Sequence, residues 1–233
     1  MTEWKTEISS SGEDAVIRGE KLEQVMDMEF ADAIWLLLKG EKPGEKESEL
    51  FNTILSSSID HGVGNPSTVS ARTIQSGGND MNTSVAGGIL SLGDSHGGAI
   101  EECMQILQSE KTARQIVEEY LQNGENIPGI GHKVYDDVDP RAQKMLEKAE
   151  KLELSGESVD KMKEIKTVFA EKKVDLVMNV DGAIAAVMSD LGWEPELGKG
   201  FFIIARTPGI VAHVREEMDE PDFRREKGEY VGK

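Results

Sequence analysis

Apolar residues in this chain recur at spacings of three and four, segment after segment, and hardly ever alternate. That period matches the α-helix and not the β-strand. "DMEFADAIWLLLKG" puts Phe30, Ile34, Leu37 and Leu38 on one stripe, with Asp27 as its expected N-cap and Gly40 just past its end. "GGAIEECMQILQ" carries Ile100, Met104 and Leu107, and "KTARQIVEEYLQNG" carries Ile116, Val117, Tyr120 and Leu121 before ending at Gly124. "DPRAQKMLEKAEKL" sets Asp139 as N-cap and Pro140 at the first helical position, with Ala142, Met145, Leu146 and Ala149 as its stripe. Val159, Met162, Ile165 and Phe169 mark another helix in "SVDKMKEIKTVFAEKK". "EKESELFNTILSSSI" and "DGAIAAVMSDLG" read as two more, the latter from Asp181 to near Gly192. "NTSVAGGILSLG" is held by close packing of small residues, since glycine weakens an isolated helix by roughly 1 kcal/mol relative to alanine. In "KGFFIIARTPGIVAHVREEM", Pro208 is expected to kink the helix or to start a second one. At most "EDAVIRG" forms a short strand, and the tail "DEPDFRREKGEYVGK" has no period. The fold class is all-α, with no internal repeat.

The 233 residues suffice for a sizeable core. Lys and Arg total 26 against 44 Asp and Glu, a formal charge of −18. That charge repels nucleic acid and anionic membranes, and a solvated acidic surface accounts for most of it. Any anionic substrate must then find a local basic pocket, so the position of each arginine matters. The single cysteine, Cys103, cannot form an internal disulfide and falls on an apolar helix face. The first residues lack a signal-peptide pattern, and runs such as "AIWLLL" are too short to span a bilayer. A cytoplasmic location is the expectation.

Of four histidines, His61, His96 and His132 sit in loops or at helix starts beside glycine, in "IDHGVGNPS", "GDSHGGA" and "GIGHKVY". Glycine there lets a ligand approach the backbone, and positioned loops often carry function. His213, inside an apolar helix, reads as a satisfied packing residue. No two histidines have helical ligand spacing and no HExxH occurs, so no metal is expected. "PGIGH" is too short for a phosphate loop, although N–H groups of a Gly-rich turn can hold an anion or a nucleotide edge. Asp181, in the apolar surround of "LVMNVDGAIAAVM", is either a helix N-cap or a general base. As a base, desolvation would raise its pKa and the helix dipole would lower it. Arg141, Arg206 and Arg225 (or Arg224) are candidate carboxylate clamps, each also readable as a surface charge.

Five motifs in order then give a resemblance. "IRGEKLEQVMDMEFADAIWLLLKGEKP", the stretch from "IDHGVGNPS" to "HGGAIEECMQIL", "PGIGHKVYDDVDPRA", "NVDGAI" and "IIARTPGIVAH" are similar to the citrate synthase superfamily, over nearly the whole chain. Within it the chain looks closest to short stand-alone citryl-CoA lyases and to the lyase module of ATP citrate lyase. The resemblance implies that His96 donates to the thioester carbonyl of an acyl-CoA, as an oxyanion hole does. Asp181 would move the proton at the acetyl methyl carbon. His132 would hold the oxygen that is a ketone in oxaloacetate, and exchange a proton with it. His61 would contact the dicarboxylate; Arg141 and Arg206 would clamp carboxylates; Arg225 would act across a subunit interface. Pro128, Gly129, Ile130 and Gly131 would lie against the CoA adenine, and the Asp-Pro cap would also aim Arg141. No cofactor is implied beyond the coenzyme A thioester as substrate.

Three departures from the synthase pattern follow from the same resemblance. The chain is short, the missing part falling between "ELFNTIL" and "SSSIDHG"; "DHE" is "DHG"; and the tail reads "FRREKGEYVG". The first two tilt the reading to citryl-CoA lyase, cleaving citryl-CoA to acetyl-CoA and oxaloacetate through an enol or enolate. Citrate synthase, or a related acyl-CoA condensing enzyme, is the alternative, and a non-catalytic partner subunit the third. The implied architecture is a shortened large helical domain, 1–97 with 197–233, and a small CoA-binding domain, 98–196. A homodimer or higher homo-oligomer with a shared site is the implied assembly.

Overall fold

The computed structural model describes residues 4–94, 96–132, 135, 138–172, 176–221, 223 and 228–232. Among them helix dominates, as the apolar period requires. A two-stranded hairpin, β1 (Val16–Ile17) and β2 (Glu20–Lys21), turns through Arg18 and Gly19, both at positive φ. The helices follow in order: α1 (Leu22–Met26), α2 (Phe30–Lys39), α3 (Glu45–Ser57), α4 (Pro66–Ser76), α5 (Met81–Leu90), α6 (Ala99–Leu107), α7 (Ala113–Asn123), α8 (Pro140–Lys151), α9 (Glu157–Lys172), α10 (Val180–Asp190) and α11 (Gly198–Glu217).

Local signals set many ends. Gly40 and Gly124 close α2 and α7 in the left-handed conformation, which costs glycine nothing. Asp139 caps α8 and accepts from the Arg141 N–H, with Pro140 at the first position. Three expectations need correction. Asp27 is not the N-cap of α2; it ends the short helix α1, and Glu29 precedes α2. Asp181 is not the N-cap of α10, because Asn179 takes that place and accepts from the Gly182 N–H. Pro208 starts no second helix: α11 runs through it, held by packing on α3, α4, α5 and α6.

One core runs from α2 and α3 through α6–α10 into the first half of α11. At one end Trp35, Phe51, Trp193 and Phe201 meet mostly edge to face, a geometry worth roughly 0.5–1.5 kcal/mol per pair beyond area burial. A smaller cluster of Ala71, Ile210 and Val214 joins α4 and α11, with α5 alongside. Here the small residues of α5 have their use. A Cβ on Gly88 would sit 2.9 Å from Ile210 and 3.0 Å from the Ser67 carbonyl. The α10 helix is buried on nearly all sides, so its N-terminus is fixed deep in the protein. No helix among the described residues is long and apolar enough to cross a membrane.

Candidate active site

A cavity of about 330 Å3 opens where the α10 N-terminus meets α11 and three loops. Its lining includes His61, His96, His132, Arg141, Asp181 and Arg206. Six residues scattered over 145 positions of sequence thus share one space. Arg225 and Arg224 lie outside the described residues. Pro128, Gly129, Ile130 and Gly131 do not line this cavity.

The loop before α8 shows how the site is assembled. Asp139 is buried, and its carboxylate accepts from the Arg141 N–H, Nε (3.0 Å) and Nη2 (2.8 Å) and from the Val180 N–H (3.0 Å). One carboxylate therefore caps α8, orients the Arg141 guanidinium in two-point fashion and ties both to the start of α10. Burial alone would raise its pKa, but the Arg141 and Val180 donors outweigh that and hold it below the usual range. Beside it, His132 Nδ1 takes the Tyr135 N–H at 3.0 Å. Its Nε2 lies 3.3 Å from Arg141 Nη2, so each ring nitrogen of His132 faces a group that can only donate, and one lone pair of the neutral ring is available to take a proton.

Gly129 and Gly131 have φ of +82° and +101°, and the turn they form packs on α10. A Cβ on Gly129 would lie 2.5 Å from the Gly182 Cα. The Gly131 N–H donates to the Val177 carbonyl, and the Ile130 N–H to the Ile127 carbonyl. Asn179 closes the turn by donating to the Gly129 and Gly131 carbonyls. The N–H groups of Ile130 and Gly131 are thus used internally and do not serve as an anion nest. Glycine is demanded here by the close approach of two backbones.

Asp181 sits in the first turn of α10, released from capping duty by Asn179, and no hydrogen bond to its carboxylate is found among the described residues. Burial raises its pKa; Arg141 and Arg206 pull the other way without cancelling the shift. Desolvation wins over the two arginines, the pattern of a carboxylate poised to exchange a proton.

His96 lies in the turn between α5 and α6, where Gly97 lets it pack edge-on to Phe202. Its Nε2 is 3.0 Å from Ser67 Oγ, which in turn donates to Asn65 Oδ1 at 2.6 Å. Asn65 Nδ2 donates to the Gly62 carbonyl, so the amide orientation is set. With its proton directed to Asn65, Ser67 accepts from His96 Nε2–H and leaves Nδ1 as the basic nitrogen. The resemblance implies that His96 donates; with Nε2 facing Ser67 that donor is Nδ1, which requires the Ser67 hydroxyl to turn onto Nε2. That change moves two hydrogens, the hydroxyl proton of Ser67 and the ring proton from Nε2 to Nδ1, and no heavy atom. Burial lowers the pKa of His96, and Arg206 and His61 add to the shift. His132 and His61 are lowered for the same first reason, with Arg141 contributing to both.

Arg206 is 3% exposed, and among the described residues it has no carboxylate partner. Its Nε donates to the Ser58 carbonyl at 2.8 Å, its guanidinium stacks on Phe202 at 4.8 Å, and Nη1 is buried without an acceptor among the described residues. Burial lowers its pKa while Asp60 and Asp181 oppose the shift. A buried guanidinium left unsatisfied at a cavity wall calls for an anionic ligand. Among the described residues no cluster of three His, Cys, Asp or Glu has metal-binding geometry. Ser67, Asn65 and Asn179 were not singled out in the sequence; "NPS" carries an Asn-Pro helix start that would have located the first two.

Two arginines, three histidines whose pKa values are lowered and one buried carboxylate whose pKa is raised thus share one cavity. Residues 13–226 match the family model "Citrate synthase, C-terminal domain", and the chain belongs to the citrate synthase family. The citryl-CoA lyase of Hydrogenobacter thermophilus superposes with a TM-score of 0.93 at 43% identity, over 99% of this chain and 95% of that one. The ATP citrate lyase of Methanothrix soehngenii, solved with citrate and coenzyme A, superposes with a TM-score of 0.88 at 26% identity, matching 100% of this chain and 42% of its own. Citrate synthase 2 of Bacillus subtilis is 34% identical over 221 residues, 91% of this chain and 59% of that protein. The citrate synthase of Haloferax volcanii is 33% identical, with 53% of its length covered. The chain thus spans little more than half of these curated relatives.

Proposed function

We propose that the protein is a citryl-CoA lyase, cleaving citryl-CoA to acetyl-CoA and oxaloacetate. The observation that supports this over synthesis is the near end-to-end match to a citryl-CoA lyase, against half-length matches to the citrate synthases. In this reading Arg141 and Arg206 hold carboxylates of the citryl group, with His61 beside them. His132 takes the proton of the tertiary hydroxyl, and Arg141 faces the same oxygen and stabilises the alkoxide as the carbon–carbon bond breaks. The electron pair passes into the thioester, giving an enolate whose oxygen lies at His96. Asp181, with its raised pKa, returns a proton to the enolate carbon. The helix N-terminus and the arginines also favour the carboxylate form that would remove this proton in the reverse sense.

The domain assignment fits the same scheme. Residues 98–196 carry His132, Arg141 and Asp181, and would close over the thioester against 1–97 and 197–233, which carry His61, His96 and Arg206. Pro128–Gly131 would meet the CoA adenine through their outer surface and not through the N–H groups of Ile130 and Gly131. A second copy would supply Arg225. The test is direct: purified protein is given citryl-CoA with malate dehydrogenase and NADH. NADH loss that disappears in Asp181→Ala supports the proposal, and no oxaloacetate at high enzyme concentration sinks it.

A further inference from the structure

The loop that delivers His61 lies along one face of α11. Arg206, Gly209 and His213, spaced three and four apart, share that face and meet successive loop residues. Arg206 Nε holds the Ser58 carbonyl at 2.8 Å. A Cβ on Gly209 would overlap the Ile59 carbonyl and lie 3.0 Å from Asp60 Oδ1, so only glycine lets the loop down. His213 Nε2 meets Asp60 Oδ1 at 3.0 Å across 153 positions of sequence. Asp60 is held ionised: burial would raise its pKa, but the Gly62 and His61 N–H groups and His213 outweigh that. An ionised carboxylate only accepts, so His213 Nε2–H is the donor. The other oxygen of Asp60 takes the Gly62 N–H at 2.9 Å, so the carboxylate brackets His61 from both sides in sequence. Glu216, 4.0 Å from His213 Nδ1, is engaged by Arg72. His213 itself does not line the cavity.

We propose that the Asp60–His213 pair is a positioning latch, which clamps the Ser58–Gly62 loop onto α11 over Gly209 and so holds the His61 imidazole in the cavity. It acts through His61 and touches no reacting atom. Its consequence for catalysis rests on the lyase reading, in which His61 contacts the dicarboxylate; its consequence for the His61 ring does not.

The test uses the full chain labelled with 15N-histidine, whose four imidazoles are few enough to assign. Ring resonances of His61 should move in His213→Ala and return in His213→Gln, whose amide can donate to Asp60 in place of Nε2. His213→Met keeps the volume without the donor and makes the same test should the alanine variant fail to fold. Oxaloacetate affinity, by calorimetry, should fall about tenfold with the ring shift and recover in His213→Gln, since misplacement of a binding group by about 1 Å can cost up to a hundredfold. A His61 ring unchanged in both loss variants overturns the latch, whatever their melting temperatures. A wild-type chain that binds no oxaloacetate overturns the lyase reading instead, and the ring resonances then decide the latch alone.

Discussion

Asp139→Asn is the substitution that the assembled site should tolerate least. The replacement keeps size and shape and removes one acceptor oxygen with its charge. Asn Oδ1 can still cap α8 by accepting from the Arg141 N–H and Nε. Its Nδ2 would then face Arg141 Nη2 and the Val180 N–H, two donors that Oδ2 now satisfies at 2.8 and 3.0 Å. Charge-assisted bonds contribute about 1.5–3 kcal/mol each, so the pair amounts to about 3–6 kcal/mol before relaxation. Arg141 is 23% exposed and can turn towards water in the cavity, which recovers part of this. The Val180 N–H is buried and cannot. The expected net loss is about 3 kcal/mol, within the range for breaking a buried pair. At roughly 3 °C per kcal/mol for a chain of this size, the melting temperature should drop by about 9 °C. The folded pKa of Asp139 is depressed, so its stabilisation is present above the ordinary carboxylate value of 3.8 and is lost as pH falls through the folded value. The gap between wild type and variant should therefore be constant near neutrality and close in acid. Turnover of citryl-CoA should fall about a hundredfold, because the same carboxylate aims Arg141 and anchors the turn of Asp181. A melting shift below about 2 °C together with full turnover would refute the claim that Asp139 organises the site.

Three further outcomes are expected. Asp181→Asn should abolish turnover yet raise stability at pH 7 by about 1 kcal/mol, a trade typical of active-site charges. The sign follows from its raised folded pKa: the cost of burying the charge is absent below pH 3.8 and full above the folded value, so the gain should vanish in acid melts. Gly129→Ala puts a Cβ 2.5 Å from the Gly182 Cα at a φ of +82°; a loss of at least about 2 kcal/mol is expected by urea unfolding. Ser67→Ala removes the partner of His96 Nε2, and kcat should drop about tenfold to a hundredfold with KM for the thioester little changed; unchanged kcat contradicts the proposed Ser67 rotation.

Local signals carried much of the fold. Gly40, Gly124 and the Asp139-Pro140 pair could be read as helix ends because capping depends on a few neighbouring residues. Asp27 misled because α1 just upstream makes it an end instead of a beginning. "NVDG" offers two capping side chains two residues apart, and the choice of Asn179 follows from its donation to the Gly131 carbonyl, 48 positions away. The glycines of "PGIG" read as room for a ligand, whereas Gly129 is needed against Gly182 of another element. His213 does have a satisfied environment, but its partner Asp60 is 153 positions distant and invisible to any local pattern. The grouping of His61, His96, His132, Arg141, Asp181 and Arg206 came from the resemblance and not from spacing, since tertiary packing alone brings them together.

The fate of citryl-CoA on the purified protein tests the central claim most directly. Acetyl-CoA, oxaloacetate, citrate and free CoA are quantified from one reaction by chromatography. Cleavage by His96, His132 and Asp181 requires acetyl-CoA and oxaloacetate in equal amounts, with little citrate or free CoA. Citrate and free CoA as the main products, without oxaloacetate, would contradict the lyase account and assign the cavity to thioester hydrolysis.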